Sequence, residues 1–107
     1  MAANDLKTPI IVRDKYTIYL EPDGEGNWLV HADIHQWNRT VKEQLTVEWE
    51  MLRILYSGFP FFALHRPSEH SNPEKHKKFL TLMDFVKLKD WTIEGEDCEI
   101  WICEYRR

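Results

Sequence analysis

The sequence lacks the short motifs that mark several large enzyme classes. It contains no Gly-x-Ser-x-Gly, no Cys-x-x-Cys, no phosphate-loop lysine motif and no dinucleotide-binding glycine fingerprint. Each motif serves a defined chemistry, such as an exposed nucleophilic serine, a redox-active dithiol or a backbone cradle for phosphates. A serine hydrolase, a redox protein and a nucleoside triphosphatase are therefore not predicted.

Positive charge and long apolar runs are also scarce. Lys and Arg number 14 against 18 Asp and Glu, a formal net charge of −4. This excess of negative charge argues against a nucleic-acid partner bound mainly by bulk electrostatics. No apolar run approaches the ~20 residues that span a bilayer, so no membrane partner is predicted.

Cysteine is limited to Cys98 and Cys103. If both lie on one strand, their odd spacing sends the two side chains to opposite faces, so they should not pair. Free thiols fit a reducing compartment, and the N-terminus shows no signal-peptide pattern, so we expect a cytoplasmic protein.

The remaining composition is that of a folded domain. Of the 107 residues, 43% are hydrophobic and 13% aromatic, which argues against disorder. The length predicts one domain over residues 1–107 with a modest core.

The first third of the chain predicts strands separated by turns. Thr8–Leu20 is strand-like with a break near Asp14, and Glu21–Asn27 is dense in turn residues. Trp28–His35 then alternates between apolar and polar residues. This pattern predicts a hairpin followed by a half-buried strand.

A long amphipathic helix is predicted from about Arg39 to Ser57. Thr40 and Glu43 have capping-box spacing, and Gly58 is a helix stop. Five apolar residues at helical spacing form one stripe: Val41, Leu45, Trp49, Leu52 and Tyr56.

A buried strand and a second helix follow. Phe59–His65 is almost wholly apolar, as in a strand covered on both faces. Asn72 is a good N-cap and Pro73 suits the first helical position. Phe79 to Met83 then supply an apolar face.

The chain closes with a second hairpin, Val86–Ile93 and Glu99–Tyr105 joined by a turn at Glu94–Asp97. A helix between the Trp28–His35 and Phe59–His65 strands indicates a local parallel crossover. We therefore predict an α/β (α+β) fold, a mixed and mostly antiparallel sheet of about six strands with two helices.

This order resembles the GNAT superfamily of acetyl-CoA-dependent N-acetyltransferases without its usual N-terminal strand and helix pair. The resemblance covers roughly Tyr16 to Tyr105, and Asn72 and Phe85 stand at the ends of the family's closing motif. The pattern from His76 to Phe85 also looks like small, divergent GNAT-like proteins of bacteriophages. The resemblance implies a minimal GNAT-like fold, acetyl-CoA as cofactor and acetyl transfer to an amine substrate.

In this family, Gln/Arg-x-x-Gly-x-Gly/Ala at the start of the long helix brings bare backbone amides onto the CoA pyrophosphate. Here Gln36 matches, while Arg39 and Val41 occupy the glycine positions. By resemblance, Gln36, Arg39, Thr40 and Asn72 would contact a cofactor held between the two parallel strands.

Two further positions depart from the family. Leu80 stands where a tyrosine often serves as general acid, and Asp84 stands where the family has glycine. An active enzyme would then release its thiolate through water or another donor. The alternative is a catalytically inactive interaction protein of the same fold, binding a host or virion protein in the host cytoplasm if it is phage-encoded.

His31, Asp33 and His35 form a polar row, because residues two apart on a strand share a face. One interpretation is a general base for the acceptor amine, with Asp33 the leading candidate because the resemblance implies a carboxylate on this strand. A metal site for zinc or iron is a second interpretation. A solvated sheet surface is the third.

Other polar and aromatic residues suggest partners. Lys75–Lys78 could bind a phosphate or an acidic partner, or form the solvated face of the second helix. Trp37 beside Arg39 suits a protein-partner hot spot or a loop aromatic folded onto the core. A homodimer stays open, because Thr8–Arg13 could pair within the chain or with a second copy.

Overall fold

Six strands and two helices make up the protein in a computed structural model that describes residues 7–104. The elements are β1 (Thr8–Val12), β2 (Tyr16–Pro22), β3 (Trp28–Ile34), α1 (Arg39–Leu55), β4 (Phe61–His65), α2 (Pro73–Leu82), β5 (Val86–Ile93) and β6 (Glu96–Cys103). The strands form one sheet in the order β1-β2-β3-β4-β6-β5. The predicted class, a mixed α+β sheet with two helices, is confirmed.

All neighbouring strands pair antiparallel except β3 and β4, which are parallel and joined by α1. The predicted local crossover is therefore correct. Strand β1 pairs with β2 of the same chain, from Thr8 opposite Leu20 to Val12 opposite Thr17. The first strand thus finds its partner within the chain.

The parallel pairing between β3 and β4 is short, with two pairs of residues in register. Its register covers Trp28 opposite Phe61 and Leu29 opposite Phe62, at the start of both strands. Strand β3 continues to Ile34 and β4 to His65, while β4 pairs along its whole length with β6 on its other side. A gap therefore opens in the sheet between the carboxyl halves of β3 and β4.

Both helices pack on one core. Trp49 of α1 stacks on Phe85 at 5.7 Å between ring centroids, and its indole Nε1 donates to the carbonyl of Met83 at 2.8 Å. Arg53 pairs with Asp84 at 2.9 Å in the turn that ends α2. Asp84 adopts a left-handed φ of 66°, a conformation that a short polar side chain such as Asp tolerates. These contacts fix the end of α2 against α1.

The start of α1 differs from the prediction. The N-cap is Asn38, not the Thr40 of the capping-box pattern, because the Asn38 side-chain oxygen accepts from the Val41 amide at 2.9 Å. The Val41 side chain is buried in the core. The last helical residue is Leu55, and Tyr56, predicted within the apolar stripe, is 44% exposed.

The second helix and the last hairpin keep to the predicted order. Asn72 caps α2 by accepting from the Lys75 amide at 3.2 Å, and Pro73 is the first helical residue. The hairpin turn is tighter than the predicted Glu94–Asp97. Glu94 and Gly95 both have positive φ, so two residues close it and β6 begins at Glu96.

Three further predictions concern the cysteines, the helices and the end of the last strand. Cys98 and Cys103 are buried and not paired with each other. Neither described helix combines the length and apolarity needed to cross a membrane. Tyr105, the predicted end of the last strand, lies outside the described residues.

Candidate functional site: a cleft between parallel strands

The gap between β3 and β4 opens into a cavity with a volume of about 940 Å³. This lies at the upper end of the range of about 300–1,000 Å³ typical of small-molecule sites. Its walls come from β3, β4, the start of α1, α2 and the loop before α2. The floor is apolar: Ile18, Val30, Ala32, Trp49, Ala63, Leu80, Met83 and Phe85.

The charged residues around this cleft are mostly basic. Four lysines line it (Lys7, Lys42, Lys75 and Lys78), against the carboxylates of Asp33 and Glu69. The protein as a whole carries a net charge of −4, so this local excess of cations runs against the overall balance. An apolar floor with a cationic rim suits a ligand that has an apolar part and an anionic part.

Three histidines meet at one end of the cleft. His65 is the last residue of β4, His70 lies in the loop after β4, and His76 is in α2. His65 is 1% exposed, whereas His70 and His76 are half-buried and line the cavity. Their nearest imidazole nitrogens all lie within 4.8 Å of one another.

The rings in this histidine cluster are stacked and hydrogen-bonded. The Nδ1 atoms of His65 and His76 are 2.7 Å apart. The rings of His70 and His76 stack with centroids 3.8 Å apart, at 17° between their planes. A hydrogen bond between two Nδ1 atoms requires one of them to carry the proton and the other to accept it. The accepting ring therefore has no proton on Nδ1, and in a neutral pair the two rings are opposite tautomers.

The surroundings favour neutral rings throughout the pair. Burial, reinforced by repulsion from His70 and His65, lowers the pKa of His76 from its usual 6.5 to about 4. Burial also lowers the pKa of His65, and the attraction of Glu99 does not offset it. Neutral imidazole is the form that offers a lone pair to a metal or accepts a proton from a substrate.

The loop that carries His70 is anchored by one carboxylate. Glu96, at the start of β6, accepts from Arg66 Nε at 2.8 Å, from the Ser68 amide at 2.8 Å and from the Ser68 hydroxyl at 2.7 Å. The hydrogen bonds from Arg66 and Ser68 hold the pKa of Glu96 below its usual value. This anchor fixes the loop between β4 and α2, and with it the entry of His70 into the cluster.

The predicted polar row of His31, Asp33 and His35 lies apart from the histidine cluster, and β3 ends at Ile34, before His35. Asp33 and His35 are exposed, and His31 pairs with Glu21 of β2 at 2.7 Å. His31 and Asp33 contribute to the lining of the cleft, but His35 does not. The potential metal ligands that residues 7–104 gather into one group are His65, His70 and His76, and not this row.

Of the four residues predicted to contact a cofactor, three lie outside the cleft and one lines it. Gln36, Arg39 and Thr40 are exposed at the start of α1 and lie outside the cavity lining. Arg39 pairs with Glu43 at 3.2 Å. Asn72 lines the cavity while its side chain caps α2.

Lys75–Lys78 also serve several roles rather than one. Lys75 and Lys78 line the cleft, His76 joins the cluster, and Lys77 lies between Glu74 and Glu99 at 3.8 and 3.5 Å. Trp37 is 47% exposed and meets Phe79 edge to face at 5.9 Å, at the rim of the cleft. The loop aromatic is therefore packed on α2 while half of it stays accessible.

Sequence patterns did not identify the histidine cluster. His65 ends an apolar strand, and a polar residue at the end of a buried strand is the one signal that points to it. His70 and His76 lie in a loop and a helix, where no spacing rule relates them to a strand. The packing of α2 against β4 brings the three together, and no local pattern states that packing.

The chain was compared with models of protein families, with curated proteins and with solved structures, and none of the three comparisons gives a match.

Proposed function

We propose that this protein binds an acyl-CoA in the cleft between β3 and β4 and transfers the acyl group, such as acetyl, to an amine. The observation that carries the proposal is the cleft itself, an apolar gap in a parallel strand pair with four lysines at its rim. The thioester and pantetheine arm are largely apolar and slender, whereas the nucleotide end carries several phosphate charges. A cleft of this composition matches both parts of such a ligand.

The open backbone of the gap supports this assignment. Beyond Leu29, the inner edge of β3 has no register partner on β4. Amide and carbonyl groups at that edge can pair with the amides of a pantetheine arm as a neighbouring strand would. The cleft thus offers directional hydrogen bonds in addition to apolar contact.

The phosphates would be bound by side chains rather than by the start of α1. The Val41 amide is already occupied by the Asn38 cap, which removes one donor from a helix-terminal anion site. Lys42 and Lys78 approach the cleft from α1 and α2, and they supply charge without a glycine-rich loop. Arg39 lies nearby on the solvent side of α1.

In this mechanism Asp33 removes a proton from the acceptor amine. Asp33 is exposed, lines the cleft and lies on the strand that would flank the thioester. The amine attacks the thioester carbonyl, the tetrahedral intermediate collapses, and the CoA thiolate takes a proton from water. His31 is engaged with Glu21 and is a secondary candidate for the base, as is His35.

The test measures the binding of CoA and of acetyl-CoA to chelator-treated protein, by calorimetry and by thermal unfolding. A ligand present at about 100 times its dissociation constant should add about 2.7 kcal/mol to the free energy of unfolding. The double variant Lys42→Ala/Lys78→Ala should bind about 3- to 30-fold more weakly, as expected of two exposed ion pairs worth up to about 1 kcal/mol each.

The matched control is Lys15→Ala/Lys89→Ala, which removes the same charge away from the cleft. An equal loss of CoA affinity in both double variants would show that the affinity depends on the net charge of the protein and not on the lysines at the cleft. If wild-type protein shows no stabilisation by either ligand at millimolar concentration, the acyl-CoA assignment is wrong.

The alternative function, an interaction protein, is favoured by a different observation. The outer face of α1 exposes an apolar stripe at helical spacing: Val47, Met51, Ile54 and Leu55, with exposures of 59%, 61%, 47% and 78%. Phe59, just beyond the helix, is 61% exposed. Contiguous apolar surface of this kind is typical of protein contacts.

Sedimentation of wild-type protein and of Met51→Glu/Leu55→Glu tests this alternative. Self-association that the double variant abolishes would show that α1 is an interface. A monomer in both cases, with acyl-CoA binding intact, would leave the enzyme proposal in front.

A further inference from the structure

The histidine cluster has the composition of a transition-metal site. Three imidazoles converge from β4, the following loop and α2, with their nearest nitrogens within 4.8 Å of one another. Imidazole is the nitrogen ligand preferred by zinc and its neighbours in the first transition row. Three histidines with a fourth position left open is a known arrangement of catalytic zinc.

We propose that His65, His70 and His76 bind one divalent transition-metal ion of the zinc class, with its open coordination position facing the cleft. The assignment does not depend on acyl-CoA binding. Zinc binds imidazole nitrogen at about 2.0–2.1 Å, so nitrogens around a tetrahedral ion lie roughly 3.3 Å apart. The spacing in the cluster brackets this value, from 2.7 Å between two Nδ1 atoms to 4.8 Å at the widest.

The rings must turn to bind the ion. A ligated metal lies in the plane of each imidazole, and near-parallel stacked rings cannot share one such point. His70 is the ring free to turn, because it is half-buried and lies in a loop rather than in a strand or helix. His65 and His76, whose planes differ by 15°, must also separate and turn, and the ring that carries the Nδ1 proton must carry it on Nε2 instead.

The residues around the histidine cluster leave space for an ion and add negative charge near it. His70 and His76 line the cleft, which gives an ion a path of entry and leaves room for a water or substrate ligand. Glu69 lies beside His70 on the same lining and offers a carboxylate within the same loop. Glu74 and Glu99 act electrostatically on His65 and offset the positive charge of Lys77.

The experiment is a titration of untagged, chelator-treated protein with Zn²⁺ alone, by calorimetry and thermal unfolding, repeated with Co²⁺ and read by its visible absorption. We expect one ion per chain, an increase in melting temperature and a Co²⁺ spectrum of low coordination number. His70→Ala should fold, because this side chain lies in a loop, and should lose affinity by at least about tenfold. His76→Gln provides a second test should His70→Ala fail to fold.

The matched control is His31→Ala/His35→Ala, which removes two histidines of the polar row. It should bind Zn²⁺ as tightly as wild type. The proposal is overturned if wild-type protein binds no stoichiometric Zn²⁺, if His70→Ala and His76→Gln keep wild-type affinity, or if the loss appears in the control. CoA binding is measured separately in the presence of chelator, so failure here and failure of the acyl-CoA proposal give different results.

Discussion

Two sets of histidines in this chain show how differently a strand and a tertiary fold build a site. The period of a strand predicts a row of His31, Asp33 and His35, although β3 ends at Ile34 and His35 lies just beyond it. His65, His70 and His76 come from β4, the loop after it and α2, and they meet because α2 packs back against β4. In the first set Asp33 and His35 are exposed, whereas in the second His65 is buried and His70 and His76 are half-buried. Local spacing in the sequence is therefore enough to predict which side chains share a face of a strand. Their protonation and hydrogen bonding depend on burial, which only the fold determines.

The largest contrast is expected in stability. His65→Ala should lower the free energy of unfolding by about 2–4 kcal/mol, because it empties a fully buried position and leaves the His76 nitrogen without its partner. His31→Ala should cost no more than about 1 kcal/mol, since its pair with Glu21 is partly solvated. Urea unfolding of both variants without metal checks this, and similar losses would remove the contrast.

The next contrast is in pH dependence. The pKa of His76 is lowered in the folded protein to about 4, so between pH 6.5 and 4 the unfolded chain binds a proton that the folded chain does not. The stability that depends on this group is present above pH 6.5 and declines as the pH falls towards 4, by about 1–3 kcal/mol.

His76→Gln should flatten this part of the stability–pH curve of metal-free protein. The neighbours that act on His76 are His65 and His70, and those on His65 include Glu99, Glu74 and Lys77. Parallel curves for wild type and His76→Gln between pH 6.5 and 4 would contradict the account.

A smaller effect is expected from the loop anchor. Glu96→Gln weakens the hydrogen bonds to Arg66 and Ser68, so the amide of Ser68 should exchange its hydrogen faster and Zn²⁺ should bind less tightly. The matched control is Glu43→Gln, which breaks the exposed pair with Arg39 and should change neither measurement. Unchanged exchange at Ser68 would show that the loop is held by other contacts.

The smallest structural effect belongs to Asp33→Asn. This exposed side chain should alter the free energy of unfolding by no more than about 0.5 kcal/mol. Acetyl transfer to an amine, measured by release of free CoA, should nevertheless fall at least tenfold if Asp33 is the general base, within the usual range of about 10²–10⁴ for such groups. Full activity in this variant would move the role to another group.

Much of the fold could be predicted because its signals are local. The alternation in Trp28–His35, the stripe through Leu45 and Trp49, and the Asn72–Pro73 start of α2 each specify one element. The helix-containing connection between two strands was enough to predict the parallel crossover. The exact N-cap of α1 was missed because Asn38 and Thr40 are both good caps, and packing of Val41 selects the register.

The site was harder to predict because it depends on the short parallel pairing. Nothing in the sequence states that β3 and β4 separate after Leu29, yet this separation creates the cleft. The second apolar stripe on α1, which includes Met51 and Leu55, is visible in the sequence at helical spacing. It takes the structure to show that the Leu45–Trp49 side faces the core and that this side faces outward.

The most direct test is a nitrogen-detected NMR titration of chelator-treated, histidine-labelled protein with Zn²⁺. The sequence has five histidines, all in the two sets compared, so each reports separately. The account predicts that one equivalent of Zn²⁺ moves the ring nitrogen signals of His65, His70 and His76 and leaves those of His31 and His35 in place. Shifts confined to His31 and His35, or no shift in any ring, would contradict it.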